Sequence, residues 1–420
     1  MKQIKLAYVI WASLIFTACS KTSDECVEYI PFQESENGLW GMIAPNGEVL
    51  FSEEFEGKPT VAHNGRFFIR TNGIWEMYTA EKKPQPIGKE YAHTSGFHNG
   101  VAIVAEKGKP VSIIDTEGNT IKVLDSIAGK KVDGVRPFTN NYAVFKTTDA
   151  LWGAIDQNGN CCIKPEYRML NDCSDGKFIG IHSKYTNKDE SISSVINTTG
   201  ETILELSKDK YKHIGEQFSH GMLAVCVKKD DQEMWGIIND MGEYVVEPAS
   251  KFKKIGTISK KSFTYSNGTG WGLMGLDGKT MIRTKYKGLY HDIDNLLVAI
   301  VEKDSVSYNA KYINTKDTRI GNDTYVQISL FSMFDRDHAF TKIDNIYTIV
   351  NKDGSQIKNI PNIGTYEGEN YIESDFLDLN EALSSFNISK EGLMGMTFKS
   401  TAKEVARIST DSLLSNIKKS

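Results

Sequence analysis

Read for its apolar and polar positions, the chain breaks into short alternating runs divided by turn residues. Leu151-Trp152-Gly153-Ala154-Ile155-Asp156 alternates in the manner of a half-buried strand. Asn158-Gly159 follows, a pair that tolerates the positive φ of a tight turn. A Val/Ile-rich run then leads to Pro165-Glu166-Tyr167. Strand, turn and strand recur at Leu39-Trp40-Gly41 to Gly47, at Met234-Trp235-Gly236 to Gly242 and at Gly270-Trp271-Gly272 to Gly278. Ahead of the Trp-Gly strand, or of the strand in its place, comes another apolar one, such as Gly100 to Ala105, Asn141 to Phe145, Gly221 to Val227 or Asn295 to Val301. An aromatic-polar turn introduces several of these, as in Phe97-His98-Asn99-Gly100 and Phe218-Ser219-His220-Gly221.

The turn glycines Gly118, Gly159, Gly200, Gly242 and Gly278 stand roughly 40 residues apart, and the gaps beyond them, to Gly47 and Gly354, are nearly twice as wide. Each wide gap has room for one degenerate unit, with candidates at Gly73-Ile74-Trp75 and at Lys311 to Asp317. The expectation is about nine units of three or four short strands. That makes an all-β repeat array: a β-propeller-like ring, with a β-solenoid as the alternative.

After Gly364 the period changes. Phe376, Leu379, Leu383 and Phe386 fall on one face of a helix, and Thr401 to Glu404 has the form of a capping box. Residues 365–420 therefore read as a small α-rich module, expected to cap the last repeat at the end of a 30–364 repeat domain.

This pattern, an aromatic turn, an apolar strand, Trp-Gly, Asp/Asn-x-x-Gly and a Pro-x-Tyr tail, resembles the WG-repeat family of bacterial proteins across roughly residues 30–360. Trp40-Gly41, Trp152-Gly153, Trp235-Gly236 and Trp271-Gly272 carry the resemblance. Units such as Val111 to Gly118 and Ser194 to Gly200 keep the turn and lose Trp-Gly. The resemblance implies a repeated β architecture, often exported, and no one reaction. We expect the tryptophans to pack between units and the glycines to admit a neighbouring backbone. Indoles lining a shared sugar-binding face are the competing reading.

Charge narrows the function. The chain has 420 residues and a net charge of −5 without long runs of one sign, so no basic face for nucleic acid is expected. The amino terminus is different. A basic start, Met1 to Lys5, leads into an apolar run from Leu6 to Phe16, too short to span a membrane and suited to a signal peptide. Thr17-Ala18-Cys19 resembles the lipobox of bacterial lipoproteins. The resemblance implies removal of residues 1–18, lipidation of Cys19 and a polar tether over 19–29. An ordinary secretory signal followed by an incidental cysteine is the rival. Ser20 after the cysteine favours the outer membrane by lipoprotein-sorting analogy, and Asp24-Glu25 resembles the surface-export signal of Bacteroidota lipoproteins. Membrane contact is thus expected through a lipid anchor.

No catalytic constellation, cofactor motif or metal spacing is visible. None of the eight histidines forms an HExxH pair, and no Gly-x-Ser-x-Gly elbow occurs. Gly272 to Thr280 approaches a phosphate-binding loop by eye, but has the wrong glycine spacing and no helix pattern after it. Asp335-Arg336-Asp337-His338 is the densest polar cluster and reads as an exposed turn. Besides Cys19 there are Cys26, Cys161, Cys162, Cys173 and Cys226; adjacency in a strand predicts one of Cys161 and Cys162 in the core, and a Cys162–Cys173 bridge is open. The expected role is a lipid-anchored envelope protein that binds or scaffolds a protein or glycan partner. An envelope glycan hydrolase whose scattered carboxylates converge is the alternative, and a structural spacer is the third reading.

Overall fold

The computed structural model describes residues 27–35, 38–185, 192–215, 217–302, 308–321, 324–343, 346–360 and 376–378. The signal, Cys19, Cys26 and nearly all of 361–420 lie outside these residues. Among the described residues regular structure is β, in eight antiparallel sheets, apart from a 3-10 turn at Phe331–Met333.

Each unit is a meander. In unit 4 the strands Lys130–Val135, Tyr142–Thr147, Trp152–Asp156 and the first half of Cys161–Leu170 follow one another. The ten-residue strand Cys161–Leu170 pairs back onto Trp152–Asp156 and, from Tyr167 onward, forward onto Lys177–His182, so one eight-stranded sheet holds two units. Counted by their third strands there are nine units among the described residues, the least regular being built on Ile74–Thr79 and Tyr308–Asn314.

Burial explains the apolar patterning. The second strand of unit 3, Val101–Ala105, is buried at every position, whereas its fourth, Thr120–Val123, is exposed at every position. A second strand is covered on both faces by neighbouring units, so alternation disappears there. The core is split accordingly. One cluster joins unit 2 to unit 3 through Phe68, Met77, Tyr91, Phe97 and Ile114, and the next joins unit 3 to unit 4 through Ile103, Ile113, Phe138 and Phe145. The array closes because Ile30, Phe32 and Ile43 of the first unit share a cluster with Phe340, Tyr347, Ile349 and Ile360 of the last. The molecule is a β-propeller-like ring.

Two sets of turns stitch the units. Between third and fourth strands an Asx turn recurs: Asp156 Oδ1 accepts the N–H groups of Asn158 (2.9 Å) and Asn160 (2.8 Å), and Asn197 and Asn239 do the same. The turn glycine then seats on the outer strand of the preceding unit. A Cβ on Gly200 (φ +87°) would stand 2.7 Å from the Cys162 carbonyl oxygen, and one on Gly47 (φ +86°) 3.4 Å from Ile357 of the last unit. Between first and second strands the turns bond onward: Gly100 N–H to Asn64 Oδ1 (2.9 Å), Asn140 Nδ2 to the Cys173 carbonyl (2.8 Å), Ser219 Oγ to the Ile258 carbonyl (2.9 Å). Asp292 closes the series by accepting the N–H groups of Phe331 (2.7 Å) and Ser332 (2.9 Å).

Two expectations need correction. Phe376–Asp378, assigned by its periodicity to a helix of the C-terminal α-rich module, is a strand paired to Gln327–Ser329. A short apolar run fits either period, and the inner strand of unit 9 offers it an edge; the remainder of that module lies outside the described residues. Neither Cys161 nor Cys162 is in the core: Cys161 is exposed, Cys162 half-buried, and the buried position is Ile163. The outer strand meets solvent along its free edge, so both thiols stay at the rim. The Cys162–Cys173 bridge is not formed.

The glycine beside each tryptophan generates a prediction. A Cβ on Gly153 would lie 2.5 Å from the Ile163 carbonyl oxygen and 2.8 Å from the Phe145 ring. Gly153→Ala should therefore cost about 1–3 kcal/mol. Ser112→Ala, at the matching place in unit 3, should stay within about 0.5 kcal/mol. Urea unfolding of both variants checks this, and equal losses would sink the close-approach argument.

Candidate functional site

The four tryptophans of the motif are packed away. Trp40 (6% exposed) and Trp271 (1%) are buried, and Trp152 and Trp235 are half-buried against the cores between units. Cations and rings cover the remainder: the Arg136 guanidinium lies 4.3 Å over Trp152, Lys58 Nζ 5.8 Å over Trp40, and the His213 ring stacks on Trp235 at 6.3 Å. None of the four stands out as a platform for a sugar.

Gly41, Gly153, Gly236 and Gly272 share one geometry. A Cβ on each would stand 2.5–2.7 Å from a carbonyl oxygen of the outer strand, belonging to Phe51, Ile163, Val246 and Ile282 respectively. That oxygen is close because the outer strand bulges opposite the glycine: Trp152 pairs with Tyr167 while Ala154 pairs with Ile163, leaving extra residues between them. The same shift follows Trp40, Trp235 and Trp271. Where the glycine is replaced the bulge disappears. Ser112 pairs with Val123 and Ile113 with Lys122; Ser194 pairs with Glu205, and Thr348 with Asn359, all in unbroken register there. Unit 2 has Glu76 in that place and moves the irregularity one residue on, where Gly88 (φ +77°) takes it.

In unit 3 the missing bulge leaves an opening. A cleft of about 240 Å³ lies between the outer strand of unit 2, Pro86–Tyr91, and the face of unit 3 above Ser112. Val104, Ile114 and Tyr91 form its apolar floor, Thr120 and Val123 one wall, and Lys89, Glu106 and Lys109 its charged margin. Glu106 bonds to Lys109 and lies 3.3 Å from Lys89 Nζ, and these two ammonium groups, Lys109 first, hold its carboxyl below the usual carboxylate range. Burial raises the Tyr91 phenol above its ordinary value. Sequence reasoning did not find this cleft, although its signal, Val111-Ser112 in place of Trp-Gly, is legible.

The other polar groups read as fastenings. Ser262 Oγ stands 3.0 Å from His291 Nε2, and Thr257 Oγ1 3.1 Å from His291 Nδ1, joining unit 7 to unit 8. A serine–histidine contact suggests a nucleophile, but Ser262 is 3% exposed and the other ring nitrogen meets a threonine rather than a carboxylate. Asp335 accepts the N–H groups of Asp337 and His338 at 2.9 Å and holds the His338 ring, while Arg336 reaches Asp294 at 3.3 Å. That cluster is the turn between first and second strands of unit 9. The rim cleft carries a single carboxylate, Glu106, so the convergent pair of a glycosidase is not found in it. Among the described residues no three His, Cys, Asp or Glu side chains gather as a metal site.

No protein-family model matches the sequence, and no curated protein does. Solved structures do. A eukaryotic initiation factor is similar at 10% identity with a TM-score of 0.51, over 79% of this chain and 95% of that one. At that identity the likeness speaks to fold alone. BamB from Moraxella catarrhalis is 13% identical (TM-score 0.36, 63% of this chain and 86% of that one), and AztD from Citrobacter koseri in its apo form 11% identical (TM-score 0.35, 79% and 93%).

Burial between units lowers the His291 pKa to about 4, with the Thr257 backbone opposing and His220 adding to the fall. The unfolded chain takes up this proton near pH 6.5 and the folded ring resists until about 4. Stability from this group is complete above pH 6.5 and is lost as pH falls through that window, by on the order of 3 kcal/mol. Urea midpoints between pH 7 and 4 should fall more steeply for the native protein than for His291→Gln; parallel slopes would rule the assignment out.

Proposed function

We propose that this protein is a WG-repeat lipoprotein of the cell envelope, tethered through Cys19 and using its propeller-like rim to bind or scaffold a protein partner. The ring itself suits a binding or scaffold role: the geometry that recurs from unit to unit serves packing, and its outer strands differ. The observation that carries the reading is the rim cleft of unit 3, an open, mixed apolar and charged surface where the repeat departs from its own pattern. A protein is favoured over a glycan because the motif indoles are packed between units. The basic start, the short apolar run and Thr17-Ala18-Cys19 support export and acylation, and Ser20 supports the outer membrane as the address. Residues 20–26 would hold the ring off the bilayer, the expected 19–29 tether being shortened because Val27 to Tyr29 already pack and pair with the ring. Acyl chains, at about 0.8 kcal/mol per buried CH₂, would supply the attachment.

Metabolic labelling with an alkyne fatty acid should mark the native protein and leave Cys19→Ala unlabelled. Persistent labelling of the variant would end the lipoprotein reading. Cross-linking on intact cells should trap the native protein with an envelope protein; recovery of the chain alone would favour the spacer role.

A further inference from the structure

The outer edges of the units are not equivalent. In units 4 and 6 the bulge and a proline, Pro165 or Pro248, interrupt the outer strand near its end. Bulges and prolines blunt an edge, because they break the row of backbone donors and acceptors that another strand would use. Unit 3 has no proline there, and its one register shift falls earlier, between Thr120 and Lys122. From Lys122 to Val123 its outer strand is in regular register with Ile113 and Ser112, and Thr120–Val123 is the last strand of its sheet. Val123 is 50% exposed and forms a wall of the cleft. An open edge and a partly apolar cleft thus lie side by side.

The charge beside them has one sign in excess. Lys89 and Lys109 share the single carboxylate of Glu106, leaving one net positive charge at the margin. Each ammonium group has three donors, so both retain donors for a second anion. Their side chains are 59% and 62% exposed, within reach of a ligand.

We propose that the cleft between units 2 and 3 is a docking groove for an extended acidic peptide, which adds as a strand to Thr120–Val123 and sets a carboxylate against Lys89 and Lys109. Backbone pairing supplies the affinity, an aliphatic side chain lies beside Val123, and the lysines select the carboxylate, the division of labour found where peptides extend a sheet. This rests on the binding role above and names the chemistry of its partner.

The test uses the full-length chain in detergent and three fluorescein-labelled peptides, Thr-Val-Thr-Asp-Val-Thr-Val and its forms with Asn or Lys in place of Asp. Anisotropy should show the Asp peptide binding about tenfold or more tightly than the Asn peptide, the size of one charge-assisted contact, with the Lys peptide weakest. In the Lys89→Gln, Lys109→Gln double variant the Asp preference should vanish while the urea midpoint stays unchanged. Equal binding of all three peptides, binding of none, or an Asp preference that survives in the double variant would overturn the proposal. Binding of an oligogalacturonate, whose carboxylates ride on sugars, in place of the Asp peptide would overturn it in favour of a glycan groove. Cross-linking to an envelope protein that is undiminished in the double variant would reject this groove and leave the binding role standing.

Discussion

The structure turns on how close an outer-strand carbonyl comes to the residue after the tryptophan. At Gly41, Gly153, Gly236 and Gly272 that oxygen occupies the space a side chain would need. The approach exists because the outer strand bulges, and the bulge folds the strand end back over the sheet. The neighbouring tryptophan faces the other way, into the next unit: Trp152 packs with Tyr167 and Phe178, Trp235 with Phe252 and Ile255. One dipeptide therefore serves two interfaces. Its glycine lets the sheet be covered on the side of the preceding unit, and its indole fills the side of the following one.

Closure follows from the same economy of contacts. A ring leaves no end unit with a bare apolar face, which an open solenoid must cap. Here the first and last units share a cluster that includes Ile30, Phe32, Phe340 and Tyr347, and Gly47 seats on Ile357 as Gly242 seats on Leu204 elsewhere. In these bonds between turns the earlier unit supplies the side chain each time: Asn64 and Asp292 accept from the next unit, and Asn140 and Ser219 donate to it. His291 belongs to this series. Kept neutral by its surroundings, it can accept on one ring nitrogen and donate on the other, which a charged imidazolium cannot do.

Much of this architecture is legible in the sequence because it is repeated. Asx-x-x-Gly turns mark units 3, 4, 5, 6 and 9 through local chemistry, and Trp-Gly marks the third strand of four units by alternation. Features that depend on pairing were not legible. Nothing local in Cys161-Cys162 announces that the strand lies at a rim, and nothing in Phe376 to Asp378 says that the edge of Gln327–Ser329 is free to receive it. The Ser262–His291 contact joins residues from different units, so no spacing reveals it. The cleft is an intermediate case. Val111-Ser112 can be seen to depart from Trp-Gly, but an opening follows only once the register of Thr120–Val123 is known.

That intermediate case bears on where function can reside in such a ring. A second strand is packed on both faces, so any change there disturbs two interfaces together. An outer strand touches a neighbour through its turn and otherwise meets solvent, and the bulge that protects its edge depends on a single glycine. Where Ser112 stands in place of that glycine, the outer strand runs in register from Lys122 to Val123, with the shift one pair away, and those two residues present an open edge. Units 5 and 9, with Ser194 and Thr348, show the regular register as well. Construction and recognition thus part at one position of unit 3: a glycine there would let the outer strand bulge, and Ser112 leaves it in register beside the cleft.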